Sequence, residues 1–321
     1  MPQLVDGRWV KDDVAASEMK NGAFHREPTR FRDLKIAAEP GRYQLFVAYI
    51  CPWASRTLMM RALKGLEEIL PIAVSEPELG EDGWRYDIPV DAGPKAPPIR
   101  FQHQLYTTSD AHYTGKVSVP VLWDRQEGRI VNNESADILR ILNHAFDDLT
   151  GNRSDFYPQA LRGEIDHWNG LIYDSLNNGV YRAGFAKSQA AYEAAVNDVF
   201  AMLDRLEAHL ATHRYLAGAF FTEADIRLFV TLIRFDAAYH GVFKCNLRQL
   251  ADYANLQAYL REILQWPGIA ATVRIDHIKR GYYSIAHLNP TGIVPLGPLQ
   301  DFSIAHGREH LPGEGVWQKA A

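Results

Sequence analysis

The hydrophobic pattern changes period twice along the first third of the chain. Tyr43, Leu45, Phe46, Val47 and Ala48 form an almost continuous apolar run that predicts a strand over 43–50. From Cys51 the apolar positions shift to helical spacing (Leu58, Met59, Ala62, Leu63), which predicts a helix over 51–65 closed by Gly65. The branched run at 69–74 predicts a second strand. Residues 75–106 are rich in glycine, proline and charge and are expected as a loop. They are too many for an ordinary connection, and loops of that length tend to be functional. Segments 117–123 and 128–131 read as a hairpin turning at 124–128. Pro120 falls at the start of its first strand, where it removes few ladder bonds. Ile138, Leu139 and Leu142 place a helix over 134–144.

Beyond a polar break at 147–158 the period is helical throughout. Amphipathic helices are expected over 160–176, 189–212, 222–239 and 255–265, the last ended by Trp266-Pro267-Gly268. Thr222 and Asp225 have the spacing of a reciprocal capping box, with Phe221 and Ile226 as its hydrophobic staple. The expected organisation is an N-terminal extension (1–40) that wraps the next unit, an α/β domain (41–148), an all-α domain (155–288) and a Pro/Gly-rich surface tail (289–321). The bland alternative for the extension is a frayed end.

Composition narrows the function. A chain of 321 residues that is 47% hydrophobic can bury two cores. A net charge of -5 without a long basic run argues against nucleic-acid binding. No apolar stretch is long enough to span a bilayer, and the first ten residues lack the apolar core of a signal peptide, so no membrane partner is expected. The two cysteines, Cys51 and Cys245, lie too far apart for zinc-ligand spacing or a disulfide framework, which fits a reducing, cytoplasmic setting. No Gly-x-Gly-x-x-Gly or His-Glu-x-x-His motif occurs, so no nicotinamide, flavin or metal is expected.

Cys51 is the sharpest chemical signal. It stands where a strand gives way to a helix, and the unpaired N–H groups and dipole of a helix N-terminus favour a thiolate. Pro52 suits the first helical position. A buried cysteine beside a proline turn is the competing reading. Cys245 reads as structural, as most free cysteines are.

Several longer segments carry a resemblance. Cys51-Pro52-Trp53-Ala54, the run from Ser118 to Asp124, Ile130-Val131-Asn132-Asn133-Glu134-Ser135, the run from Asn177 to Ala186, that from Arg234 to His240 and that from Asp276 to Tyr283 resemble the glutathionyl-hydroquinone reductases, the Xi class of glutathione transferases. The resemblance spans roughly 51–290. It implies the glutathione transferase fold: a thioredoxin-like α/β N-terminal domain followed by an all-α C-terminal domain. Ser55 departs from the pattern, in which a histidine is expected.

Within that family the residues take on roles. Ala54 stands where a second cysteine would permit an internal disulfide, so Cys51 must form a mixed disulfide that an external thiol resolves, and glutathione is the obvious one. Val119 offers a strand edge to the cysteinyl peptide unit, with Pro120 cis and Lys116, Val117 and Ser118 along the same edge. Ser135 suits the γ-glutamyl carboxylate and Glu134 its ammonium, against the reading that Ser135 merely caps its helix. Trp84 would pack on the peptide. Tyr181 matches the family's proton donor and acceptor. Tyr239 and Tyr282 match groups that bond the sulfur and ring oxygens, with Tyr283 able to exchange roles with Tyr282. Each tyrosine has a core-packing alternative. Arg56, Arg182 and Arg280 either add field or are ordinary solvated arginines. The implied substrates are glutathione, as co-substrate, and glutathionylated aromatic hydroquinones, handled by a homodimer. The rival readings are an omega-like thioltransferase or dehydroascorbate reductase, a conjugating transferase, and a non-enzymatic interaction module.

Overall fold

The computed structural model describes residues 2–11, 19–20, 23–24 and 28–319. Parts of the expected N-terminal extension (1, 12–18, 21–22 and 25–27) and the last two residues of the tail lie outside them. The apolar run forms β1 (Tyr43–Val47), and Cys51 caps α1 (Pro52–Leu63). β2 (Ile72–Val74) returns parallel to β1, with Leu45 opposite Ile72. Then come α2 (His103–Ser109), β3 (Val121–Asp124), β4 (Arg129–Asn132) and α3 (Ser135–Leu142). The strand order is β4-β3-β1-β2, with β3 antiparallel to both of its neighbours. The Val119–Pro120 peptide bond preceding β3 is cis.

Alternation along the strands divides the sheet into two faces. Leu45, Val47, Leu122 and Val131 face α1, α3 and the helical domain, in one continuous core. Phe46, Val121, Trp123 and Ile130 face the other way, into a second core built with Leu4, Tyr86, Ile99, Leu105, Tyr106 and Tyr113. That second layer corrects the loop expected over 75–106. Arg85–Val90 pairs antiparallel with Ile99–Phe101, and α2 follows. The strand signal is faint because one residue of Arg85–Val90, Tyr86, is buried while most of the others face water. Residues 2–11 lie against the same layer, whereas Phe24 packs in the first core beside Phe185. Leu4 exchanges backbone hydrogen bonds with Gly115 at 3.1 and 2.9 Å, and Trp9 stacks on His103.

The single turn α4 (Asp147–Thr150) leads into the helical domain: α5 (Arg162–Ile172), α6 (Gly179–Gly184), α7 (Gln189–Leu210), α8 (Glu223–Arg234), α9 (Ala254–Leu264) and α10 (Ile275–Tyr283). Two expected helices do not continue as α-helix to their ends. α5 and α8 each run into a π-helical turn, Tyr173–Asn177 and Phe235–Tyr239. Such wide turns recur at functional sites, because they re-aim side chains without ending the helix. The capping box opens α8: Asp225 accepts from the N–H and hydroxyl of Thr222 at 2.8 and 3.1 Å, while Phe221 and Ile226 are buried. Leu216 N–H and the Tyr259 hydroxyl also donate to Asp225, yet burial still pushes its carboxyl up to about 6.

The tail is more than a surface segment. Arg308, 2% exposed, pairs with Glu262 and donates to the carbonyls of Leu210, His213 and Arg214. Farther on, Trp317–Gln318 pairs antiparallel with Ser154–Asp155 between the two domains. Lys319 Nζ then reaches Asp147 at 2.5 Å, and the buried Lys64 at the end of α1 reaches the same carboxylate at 2.8 Å. Proline and glycine hide this anchoring in the sequence, since the contacts come from isolated residues without periodicity.

Candidate active site

Cys51 occupies the N-cap of α1 with an extended backbone, and Pro52 takes the next position. Its sulfur lies in a largely buried residue, 9% exposed, and the thiol donates to the carbonyl oxygen of Val119 at 3.4 Å. The fold thus joins the cysteine to the cis-proline loop. Cys245, by contrast, is fully buried, and burial pushes its thiol up to about 12, which leaves it unreactive.

The loop before Pro120 is held from behind. The Tyr106 hydroxyl donates to the Ser118 carbonyl at 3.0 Å and accepts from the Ser118 N–H at 3.1 Å. Gln102 Nε2 donates to the same carbonyl, and Asn133 Nδ2 donates to the Tyr106 hydroxyl. Tyr106 and Gln102 sit in and beside α2, and the sequence offers no signal for them beyond an aromatic residue in an unassigned segment. Lys116 and Val117 are half-buried along the same edge, and the Lys116 carbonyl accepts from Tyr113. Half-buried Trp84 packs against the core that contains Cys51.

At the start of α3 the capping role belongs to Glu134, whose carboxylate accepts from Ala136 N–H at 3.2 Å. Ser135 is the first helical residue, is 3% exposed and does not cap. The Arg56 guanidinium, itself 1% exposed, approaches its hydroxyl at 3.4 Å.

The three tyrosines form a hydrogen-bonded chain. The hydroxyls of Tyr181 and Tyr282 hydrogen-bond at 2.6 Å, and those of Tyr282 and Tyr239 at 3.0 Å. Tyr239 and Tyr282 are buried, and burial raises both phenols well above their ordinary range, so they act as neutral donors. Tyr181 is half-buried and forms the open end. Phe185 and Phe243 line it at ring distances of 6.1 and 5.3 Å. Tyr283 does not belong to this group. Its hydroxyl lies 2.1 Å from where a Cβ on Gly241 would stand, so the ring covers that glycine instead.

Arg234 ties the phenols to the cysteine turn, and sequence reasoning passes over it. It is 1% exposed at the end of α8, one residue before the π-helical turn that ends at Tyr239. Nε donates to the Ile50 carbonyl at 2.9 Å, and one terminal nitrogen donates to the Tyr49 carbonyl and to Ser55 Oγ. Its charge also favours ionisation of Tyr239 and Tyr282, though less than burial opposes it. Ser55, the departure from the family pattern, is thus one of its anchors. Gly281 completes the join: a Cβ there would meet Ile50 Cδ1 at 2.4 Å and the Pro77 carbonyl at 2.7 Å, so glycine lets α10 approach the turn. Arg182 and Arg280 are committed elsewhere, to Asp198 and Glu78 at 2.5 and 2.7 Å.

Comparison with known proteins identifies the family and the fold. Residues 50–145 match the model of the glutathione S-transferase N-terminal domain, and residues 189–262 that of the C-terminal domain. The glutathionyl-hydroquinone reductase YqjG of Escherichia coli is 48% identical, covering 96% of this chain and 99% of its own. The glutathionyl-hydroquinone reductase PcpF of Sphingobium chlorophenolicum is 47% identical, covering 94% and 97%. The glutathione-bound structure of YqjG superposes with a TM-score of 0.84 over the same shares of the two chains. A Xi-class transferase from Natrialba magadii, 41% identical, superposes with a TM-score of 0.88 over 98% of each chain. With relatives at 47 and 48% identity over nearly the whole of both chains and the same fold, the chain belongs to the glutathionyl-hydroquinone reductases, the Xi class of the glutathione transferases.

Proposed function

We propose that this protein reduces glutathionyl-hydroquinones to hydroquinones at the expense of one glutathione thiol, which leaves as a disulfide with the substrate's own glutathionyl group. One observation carries the reading: a helix-capping cysteine, with Ala54 at the position of a resolving cysteine, is joined through Arg234 and Gly281 to a chain of three phenols. Direct attack on the glutathionyl sulfur would expel an aryl carbanion, which is too basic to leave. Tyr181, at the open end of the phenol chain, moves a proton from a ring hydroxyl to the sulfur-bearing carbon. The ring becomes its keto tautomer. The Cys51 thiolate then attacks the glutathionyl sulfur, a disulfide forms, and the carbon–sulfur electron pair passes into the ring as a phenolate. That phenolate takes up a proton and leaves as hydroquinone. A second glutathione thiolate attacks the glutathione sulfur of the mixed disulfide, which releases glutathione disulfide and restores Cys51. The ring gains C–H in place of C–S, and two glutathione sulfurs are oxidised.

Binding follows the same geometry. The Val119 edge receives the cysteinyl peptide, with Lys116, Val117 and Ser118 beside it and Trp84 packing on the ligand. Ser135 and Glu134 take the γ-glutamyl carboxylate and ammonium. Tyr239 and Tyr282 stay protonated and donate toward sulfur and ring oxygens. Phe185 and Phe243 suit an aromatic ring. We assign the protein to the cytoplasm, as a homodimer. The aromatic wall and the phenol chain favour hydroquinone substrates over the omega-like thioltransferase reading, which needs neither.

The direct test is turnover of glutathionyl-menadiol followed by chromatography. Cys51→Ala should retain glutathione binding and lose turnover. Substantial residual reduction by that variant would refute the assignment.

A further inference from the structure

Arg56 lies on α1, and among the described residues it forms no ion pair with a carboxylate. One terminal nitrogen donates to Asn177 Oδ1 at 2.9 Å, and the other reaches Ser135 Oγ at 3.4 Å. The guanidinium lies over the Trp53 ring, 4.4 Å from its centroid. Its Nε is buried and donates to nothing. The acids around it are already engaged. Glu223 accepts from Arg140, Arg227 and Asn169. Glu134 caps α3 and accepts from Thr29. Burial, and then the like charge of Arg227, push the Arg56 guanidinium down to about 9, against the weaker pull of Glu134, Glu223 and Tyr173. A buried charge without a counter-ion is costly.

We propose that Arg56 is a positioning residue for glutathione, and that the γ-glutamyl α-carboxylate is the counter-charge the folded chain lacks. This rests on the placement of the γ-glutamyl arm at Ser135 proposed above. The logic is one of hydrogen-bond direction. Arg56 donates into Ser135 Oγ and so occupies one of its lone pairs. The Ser135 proton reaches only Glu134 Oε1, at a long 3.5 Å, and is not needed for capping, so it can turn to the ligand's carboxylate. Asn177 fixes the other prong of the fork while its own amide donates to the Arg227 carbonyl and Thr231 Oγ. The π-helical turn that ends at Asn177 thereby sets the register of Arg56 against Ser135. The ligand class selected is a γ-linked amino-acid head that keeps its α-carboxylate.

A purely structural Arg56 and a ligand-directed one predict opposite results. Arg56→Met and Arg56→Lys are compared with the parent protein by thermal unfolding without ligand and by calorimetric titration. The ligands are glutathione and its analogue γ-aminobutyryl-cysteinylglycine, which lacks the α-carboxylate. The expected outcome for Arg56→Met is an unliganded melting temperature equal to or above the parent's. Its glutathione affinity should fall roughly tenfold or more, while its affinity for the analogue matches the parent's. Arg56→Lys keeps the charge but cannot span Ser135 and Asn177 together, so it should lose affinity for glutathione alone and to a smaller degree. The proposal is overturned if Arg56→Met melts lower or fails to fold, or if either variant weakens both ligands equally or neither. Ser135→Ala separates the two layers of the argument. If it binds both ligands as the parent does, the γ-glutamyl placement fails and the proposal with it. If it discriminates between them and the Arg56 variants do not, only the role of Arg56 fails.

Discussion

At the scale of single residues, the site divides between groups that the sequence displays and groups that only the fold reveals. Cys51 was legible from its place at a change of hydrophobic period, and the tyrosines from the segments in which they sit. Arg234 opens the same segment as Tyr239, yet its role is hidden, because a buried arginine at a helix end looks like any arginine until its carbonyl partners are known. The same holds for Tyr106, which grips Ser118 from a segment with no recognisable pattern. The phenol chain supports a specific expectation. Tyr181→Phe removes the half-buried hydroxyl at 2.6 Å from Tyr282 and leaves the ring. Reduction of glutathionyl-hydroquinones should slow by about 10²-fold or more, the scale of lost general acid–base catalysis. Reduction of a simple mixed disulfide such as hydroxyethyl-glutathione disulfide needs no ring protonation and should change little. Steady-state rates on both substrates check this, and an equal loss on the two would place Tyr181 outside the proton path.

At the scale of elements, strands and long helices were readable because buried faces impose a period, and their ends were less so. The helices expected over 160–176 and 222–239 each pass into a wide π-helical turn, a change of winding that hydrophobic spacing does not register. The hairpin and α2 in 75–106 are hidden for a different reason: one buried tyrosine in a six-residue strand gives no alternation to count. Helix α10 was visible only as part of a family motif. Its approach depends on Gly281, where a Cβ would meet a backbone carbonyl that cannot rotate away. Gly281→Ala should therefore displace α10, and Tyr282 with it, from the Cys51 turn. The expected cost is about 1–3 kcal/mol of stability, as for overpacking, together with a loss of turnover larger than the loss of glutathione affinity. Denaturant unfolding, kinetics and glutathione titration on one preparation would measure all three.

At the scale of the whole molecule, the two halves share one core and are joined a second time by the tail, a join that the proline- and glycine-rich composition of 289–321 concealed. Burial alone would raise the Asp147 carboxyl, but Lys319 and Lys64 together hold it below the ordinary carboxylate range. A lowered native value means that the stabilisation is complete above the unfolded carboxyl's pKa of about 4 and fades as pH falls through the native one. Lys319→Ala should thus cost about 1–2 kcal/mol near neutrality, as for a charge-assisted hydrogen bond. Its difference from the parent should narrow below about pH 4, which urea unfolding at pH 7 and pH 3.5 would detect. A difference that stayed constant with pH would assign Lys319 a packing role instead. The ribbon formed by Ser154–Asp155 and Trp317–Gln318 has a further effect. It pinches the entry and exit of the helical half together, so that half is a closed ring of chain, tied at its neck as well as through the shared core. A clamshell opening about the linker would have to tear that tie and part the shared core, so the two halves are built to move as one body.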